Sequence, residues 1–562
     1  MKPNLFIRAA ASFARQRLLR SLAAFEAQLP DAAAVQDRVL TGLLAGSINS
    51  RFGRDFGLGS IRTYADFARQ VPILDYDKLK PYLDPIGRGD VTGVFNPGTK
   101  VHMLAMTSGT SGAAKFLPVT DLYLANYRRA WNAWGVACYR DHMDAWLRPI
   151  LQISAPMDDL RSEGGLPCGA ISGFIFRHQL AVVKKFYVVP GCVGYIKNPL
   201  AKCYAIMRLA VGRDIGAIVT ANPSTPLQLA QTAERFAESL IRDIRDGTLR
   251  GDLEIDPAIR AELTAPLKPD LKTAARLDRL ASSQGRLLPK DYWKPGYLAN
   301  WTGGTLSLYL RQFQEYFGDV PVRDLGLLAS EGRMNLPLSD GTSAGVLEIL
   351  GNFYEFVPAG EIDSPAPTVL RCHELRAGQD YFILLTTGGG LFRYHIGDVV
   401  RCEGFAPGGQ APIIRFLNKG QHTSSLTGEK LTEHQAVIAV GRAAERCGLA
   451  IHTFVLCPRW SNAGSPPFYA LNIEPSNCPA NRAAELAAAV DSALAEANIE
   501  YASKRSSGRL GPVVVAAVAE GFFEQLLQQR VFLRGTRREQ YKHQFLYADV
   551  DGDKSFPRPA GP

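Results

Sequence analysis

Nine residues, Thr107–Lys115 (TSGTSGAAK), constrain this chain more than any other stretch. They lie between two apolar runs, Val101–Met106, which reads as a buried strand, and Phe116–Val119. Gly109 and Gly112 let the backbone turn sharply and approach a ligand closely, so that its N–H groups can converge on an anion. The hydroxyls of Thr107, Ser108, Thr110 and Ser111 add donors, and Lys115 adds a point charge suited to phosphate. The run is not a P-loop, because Ala-Ala-Lys follows Gly112 where Gly-Lys-[Ser/Thr] is needed. A flexible Gly/Ser surface loop has the same composition, and spacing alone does not separate the two. The apolar flanks suit a binding loop better than a linker.

The chain has 562 residues, enough for more than one domain and a large core. Apolar and charged fractions of 46% and 21% are those of an ordinary globular protein. No stretch approaches the roughly 20 uncharged apolar residues of a membrane span, so none is expected. The net charge of +9, from 63 basic and 54 acidic residues, is mild and scattered. It is compatible with an anionic ligand and gives little support for nucleic acid. Nine cysteines without a Cys-x-x-Cys pair predict reduced, mostly buried thiols in a cytoplasmic protein. The nine histidines form no metal-ligand spacing, which argues against zinc. The basic, amphipathic N-terminus superficially suggests a transit peptide, but helical pattern continues into Ala32–Leu44 and a packed helix fits better.

Along the chain, residues 1–50 read as two helices, and Pro72 divides Phe67–Tyr82 into two more. In the helix Leu122–Tyr139, Tyr123, Tyr127, Trp131 and Trp134 fall three or four apart and share one face. Core packing explains that face most simply; a wall of an apolar substrate pocket is the functional alternative. Ile150–Ser154 and Ile215–Thr220 read as strands. A long helix follows, with a stripe from Leu229 through Ala233, Phe236 and Leu240 to Ile244, capped by Ser224 or Thr225 and stopped by Gly247. Strand, turn and long helix in that order predict a layered α/β domain. Val322–Ala329 reads as an apolar strand leading into Ser330-Glu331-Gly332. Val346–Phe356, Gln379–Thr387 and Leu391–Val400 read as an antiparallel sheet, with Asp398 beside a tight bend at Gly397. Singly, Glu331 and Asp398 are ordinary solvated or turn-forming carboxylates. The pattern changes near Asn418–Gln421, and a compact α+β unit of about 140 residues follows, within the usual domain range.

Taken together, these motifs resemble the Gretchen Hagen (auxin-responsive) family of acyl-acid amido synthetases, in the adenylate-forming superfamily, over nearly the whole chain. The Ser/Thr-Gly-rich loop ending in lysine stands as Thr107–Lys115. The Tyr-x-Ser-Ser-Glu pattern stands as Leu327-Leu328-Ala329-Ser330-Glu331, and the Tyr-Arg-x-Gly-Asp pattern as Tyr394-His395-Ile396-Gly397-Asp398. Gly169–Gly173, Asn222-Pro223-Ser224, Gly428-Glu429-Lys430 and Gln540-Tyr541-Lys542 support the match. The resemblance implies an α/β fold: a large adenylation domain over 1–418, a β-barrel plus α/β sheets with flanking helices, and a small mobile α+β domain over 419–562. It places a hinge near 418–421. It implies ATP and Mg²⁺, a small carboxylic acid and an amino acid or other amine as partners, and a monomer binding neither nucleic acid nor membrane. Thr107, Ser108, Thr110 and Ser111 would line the phosphates, Glu331 would help hold the metal and Ser330 would lie beside the nucleotide. Asp398 would take the ribose hydroxyls, and Lys430 and Lys542 would reach the phosphates. Tyr123, Tyr127, Trp131, Ser172, Leu327 and Gly388 would border the acid.

Three positions depart from the family pattern. Leu327 and Gly388 stand where tyrosines are usual, and His395 replaces an arginine with a group that titrates near neutrality. The departures imply working adenylation with altered acyl or amine preference. An acyl-CoA ligase sharing the adenylation step, and a non-catalytic relative that binds nucleotide or acid, are the alternatives.

Overall fold

The computed structural model describes all residues except 1–4, 109–113, 304–309, 311, 363, 421–422, 425, 428, 430, 461–465, 507, 509, 535–542 and 560–562. The side chains of 5–14, 107–108, 114, 182, 418–419, 423, 499–500, 503 and 530–534 also lie outside the description. Contacts divide the chain into two compact units. The first comprises Met1–Thr302, Gln312–Ile396 and Val400–Phe416; the second comprises Gly303–Arg311, Gly397–Val399 and Leu417–Pro562.

The first unit is a mixed α/β body. Its parallel layer has four strands in the order Ile150–Gln152, Ala217–Val219, Tyr297–Asn300 and Val322–Asp324. The two central strands are wholly buried, as expected where helices cover both faces, and the outer two are partly so. A second sheet pairs Val101–Ser108 antiparallel with Ala114–Thr120 and parallel with Pro167–Gly169. Where a barrel is expected, a seven-stranded sheet is built around Phe353–Pro358, Asp380–Thr386, Tyr394–Phe405 and Pro412–Lys419. The N-terminal helices Leu5–Glu26 and Ala32–Ala45 form as the pattern predicts. Buried Gln36 ties the second of them to the sheet, donating to the carbonyls of Ile349 and Asn352 and accepting from the N–H of Tyr354.

Two elements differ from expectation. The helix predicted from Ser224 to Gly247 is broken at Phe236 into Ser224–Arg235 and Ala237–Asp246. The Phe236 ring packs edge-on against Tyr204 and under the Arg250 guanidinium, and this contact overrides the local stripe. Neither Ser224 nor Thr225 caps the first piece; Asn222 does the work from outside, accepting from the N–H of Ser224 at 2.9 Å. Gly247 ends the second piece at φ 70°, as predicted. The run Val322–Ala329 is likewise two strands. The parallel strand stops at Asp324, whose carboxylate accepts from the N–H groups of Gly326 and Thr302, and Gly326 turns the chain at φ 85°.

The second unit carries its own core. Helices Glu433–Arg446 and Ala483–Ala497 pack on the three strands Val455–Arg459, Phe468–Ile473 and Val514–Ala517. Thr432 and Gln435 form the reciprocal capping box that starts the first of these helices. Seven of the nine cysteines are buried and all nine are free thiols. Among the described residues no helix is long and apolar enough to cross a membrane.

Candidate active site

In a parallel sheet the loops leaving the carboxyl ends of the strands converge on one edge, where ligands bind. Here those loops start at Ile153, Thr220, Trp301 and Leu325. The last of them contains Leu328–Ala329 paired antiparallel with Gly332–Arg333, so Ser330 and Glu331 are the two residues at the tip of a tight hairpin. Glu331 is 7% exposed. A carboxylate fixed on so short a turn has little conformational freedom to lose when it takes a ligand.

The aromatic helix Asp121–Asp141 backs this hairpin. Thr120 caps it, accepting from the N–H of Tyr123 and donating to the carbonyl of Gly388 at 2.7 Å. The Tyr123 hydroxyl donates to the carbonyl of Ser330 at 2.9 Å. Burial holds the Tyr123 phenol far above its ordinary range, with the Tyr127 ring and the Glu331 carboxylate adding to the effect, so it remains a donor. The rings of Tyr123, Tyr127, Trp131 and Trp134 follow one another at 6.0, 6.4 and 5.2 Å between centroids. Tyr123, Tyr127 and Trp134 are buried and Trp131 is half-buried. The ladder is thus core at its Trp134 end, whose indole N–H donates to the carbonyl of Asp324, and borders the hairpin at its Tyr123 end.

Gly388 lies against the start of this helix. A Cβ there would meet Leu122 Cγ at 3.0 Å and the backbone nitrogen of Tyr123 at 3.1 Å. Close approach therefore accounts for glycine where the family pattern has tyrosine. Leu327 is half-buried against the main core, and its N–H donates to the side-chain oxygen of Asn335 at 2.6 Å. The Ser172 Oγ accepts from the N–H of Ala155 at 3.4 Å, in the loop after the first parallel strand.

The strands bearing the hydroxyl-rich loop pair in register, Thr107 opposite Lys115 and Ser108 opposite Ala114. Thr110 and Ser111 lie outside the described residues, as do the side chains of Thr107 and Ser108. Lys115 is described. Its ammonium donates to the Tyr394 hydroxyl at 3.3 Å and stands 5.3 Å from the centre of the Tyr76 ring. In the second unit, Gly397 takes φ 84° and its carbonyl accepts from the N–H of Gly420, which sets the bend beside Asp398; Asp398 itself is 3% exposed. Lys430 and Lys542 lie outside the described residues. The residue before Lys430, Glu429, is fully buried, accepting from the Tyr469 hydroxyl and from the N–H groups of Leu426 and Thr427. Burial pushes its carboxyl up, but these donors outweigh it and hold the group below the ordinary range. His543, after Lys542, is fixed by the carbonyl of Phe454 and the rings of Phe523 and Phe545.

Two functional candidates escaped the sequence reading. One is Tyr76, which stands beside Lys115 with Tyr394 of the third motif although the three come from segments far apart in the chain. The other is Arg333, 2% exposed, with its guanidinium 5.2 Å from the centre of the Trp131 ring and 5.5 Å from that of Trp134. Its only trace in the sequence is its place two residues after Glu331.

Comparison with known proteins identifies the family. Residues 21–322 match the GH3 family N-terminal domain, 346–419 the GH3 family central domain and 434–551 the GH3 family C-terminal domain. A jasmonoyl–L-amino acid synthetase of Nicotiana attenuata, JAR6, is 24% identical over 540 residues, covering 91% of this chain and 90% of its own. A probable indole-3-acetic acid-amido synthetase of Oryza sativa subsp. japonica, GH3.1, is 26% identical over 553 residues, covering 91% of this chain and 87% of its own. The solved structure of the GH3.15 acyl acid amido synthetase shares the fold, with a TM-score of 0.79 at 20% identity over 94% of each chain. The three domain matches, in order over well over half of its length, show that this chain belongs to the GH3 family.

Proposed function

We propose that this chain is an ATP- and Mg²⁺-dependent acyl-acid amido synthetase, which adenylates a small carboxylic acid with release of pyrophosphate and then passes the acyl group to an amino acid, releasing AMP. The observation that carries the reading is the Ser330–Glu331 hairpin tip at the carboxyl edge of the parallel sheet, backed by Tyr123, in a member of this family. The two relatives named above are both described as conjugating an acid to an amine, which favours an amine acceptor over a thiol.

The donor set suits the metal. Mg²⁺ is commonly held by one or two carboxylates together with substrate phosphates and water, and Glu331 offers one carboxylate. When bound, Mg²⁺ would neutralise charge building on the phosphate oxygens. The chain's own residues do the rest. Thr107, Ser108, Thr110, Ser111 and Lys115 would donate to the phosphates; Asp398 would accept from both ribose hydroxyls. Tyr123, by holding Ser330, keeps the hairpin tip against the aromatic helix. Tyr127, Trp131, Leu327 and Ser172 would border the acid, while Gly388 would shape that border through close approach. Lys430 and Lys542 would come from the small domain, 419–562, with a working hinge at 418–421.

The test is carboxylate-dependent pyrophosphate release over a panel of acids, with and without the twenty amino acids, and mass detection of products. Pyrophosphate with an amide product is expected. Release that requires CoA and gives a thioester would replace the reading with an acyl-CoA ligase.

A further inference from the structure

We propose that the acid this enzyme prefers carries, at the end away from its carboxylate, a single neutral hydrogen-bond-accepting oxygen that docks on Arg333. The inference rests on the acyl-acid reading above and names the substrate class within it.

Arg333 follows the Ser330–Glu331 tip by two residues and is buried under the aromatic ladder. Its Nη2 donates to the carbonyl of Leu325 at 2.5 Å, and its Nε reaches the carbonyl of Asn335 at 3.4 Å. Its Nη1 has no hydrogen-bond partner among the described residues. A buried donor left unpaired costs roughly 1–3 kcal/mol, more when charged, so such a group is normally satisfied by a ligand or an ordered water. Burial is felt by the whole guanidinium, which is pushed down to about 10.

Arg333 lines a cavity of about 10 Å³ together with Tyr123, Asn126, Tyr127, Gly332 and Glu348. That is room for one water-sized guest, which is also the size of one carbonyl or hydroxyl oxygen. The cavity thus adjoins both the ladder and the hairpin, where the acid is placed. Its charge is already balanced. Glu348 is 2% exposed, and its carboxylate accepts from the N–H groups of Gly351 at 2.8 Å and Leu350 at 3.3 Å. A second carboxylate on the substrate would be buried beside Glu348, and both the space and the charge disfavour it. A neutral oxygen meets neither obstacle.

The test uses the full chain and acids matched in length, one with a methylene and one with a ketone carbonyl at the carbon next to the terminal methyl, over several chain lengths. kcat/KM for pyrophosphate release is compared within each pair. At one length the oxo acid should be preferred by about tenfold or more, because a site built around a hydrogen bond rejects the analogue that lacks it. In Arg333→Met the ratio should fall to near one, and in Arg333→Lys it should fall part of the way. Equal kcat/KM within every pair, with a water taking the place beside Nη1, would overturn the inference while leaving the acyl-acid reading intact. Preference for a dicarboxylate over the oxo acid would overturn it too. Should the variants not fold, calorimetric binding of the paired acids to the unaltered protein decides by the same ratio. Failure of every acid to release pyrophosphate would instead sink the reading on which the inference rests.

Discussion

Single side chains carry the sharpest tests. Glu331 stands on a two-residue turn, and Glu331→Gln keeps its shape and one acceptor oxygen, so the change should leave stability within about 1 kcal/mol and lower kcat by about a hundredfold. A kinetic titration with Mg²⁺ checks it: the variant should need more metal to reach its lower plateau. Gly388→Tyr restores the residue usual in the family pattern, yet the structure gives it no space. Its Cβ would press on Leu122 Cγ and on the backbone of Tyr123, and backbone yields less readily than a flexible side-chain end. The expected cost is about 1–3 kcal/mol in a denaturant titration, with loss of the Thr120–Gly388 bond. If Gly388→Tyr is instead neutral, the close-approach account of this glycine is wrong.

Elements are held in place by pairings between residues distant in sequence. Arg393 takes φ 43°, unusual for a non-glycine residue. It is held there by Glu355 at 2.9 Å and by the carbonyls of Ala68 and Val71, at the end of the helix Tyr64–Gln70. The Tyr64 hydroxyl donates to the other oxygen of Glu355. One buried ion pair therefore fastens that helix to the seven-stranded sheet. Arg393→Met should destabilise by about 3–5 kcal/mol, because it strands the Glu355 charge, and the double change with Glu355→Leu should recover part of that loss. A double-mutant cycle by chemical denaturation measures both. This pairing also marks where sequence reading stops. The helix Asp121–Asp141 was legible because its aromatics recur at three and four residues, and Thr432 because a cap needs only its neighbours. The break at Phe236, the end of the strand at Asp324 and the burial of Arg333 depend on Tyr204, Thr302 and Trp131, none of which lies nearby in the chain. In the candidate site, the hairpin tip and the helix that backs it were legible as motifs. The bond joining them, from Tyr123 to Ser330, spans 207 residues and was not.

Across the whole molecule, the buried carboxyls with shifted pKa differ between the two units in how acid acts on them, whereas those nearer the surface of the first unit, such as Asp66 and Asp141, are lowered. In the first, Asp324 and Glu348 are buried, and desolvation raises both carboxyls despite the hydrogen bonds they accept. A carboxyl whose folded pKa is raised binds protons more readily folded than unfolded. These two therefore oppose folding most when ionised, and that opposition is relieved as pH falls through their folded values. In the second unit the sign is reversed. Burial raises Glu429 and Asp553, but donors outweigh it and hold both below the ordinary range: Tyr469, Leu426 and Thr427 for Glu429, and Arg459 and Asn472 for Asp553. Their contribution is fully present above the unfolded carboxylate range, near pH 4, and is lost as pH falls through their lower folded values. With the buried groups setting the balance, acidification from neutrality should weaken the second unit first. Hydrogen exchange read by mass spectrometry in steps from pH 7 to pH 3, corrected for the intrinsic rate at each pH, should show protection lost in Glu433–Arg446 and Phe468–Ile473 before it is lost in the parallel strands of the first unit. Glu429→Gln keeps an acceptor but no charge, and should cost about 2 kcal/mol at pH 7 while flattening the acid dependence of the second unit alone. Simultaneous loss of protection in both units would mean that other carboxyls dominate, and the assignment to Glu429 and Asp553 would fall.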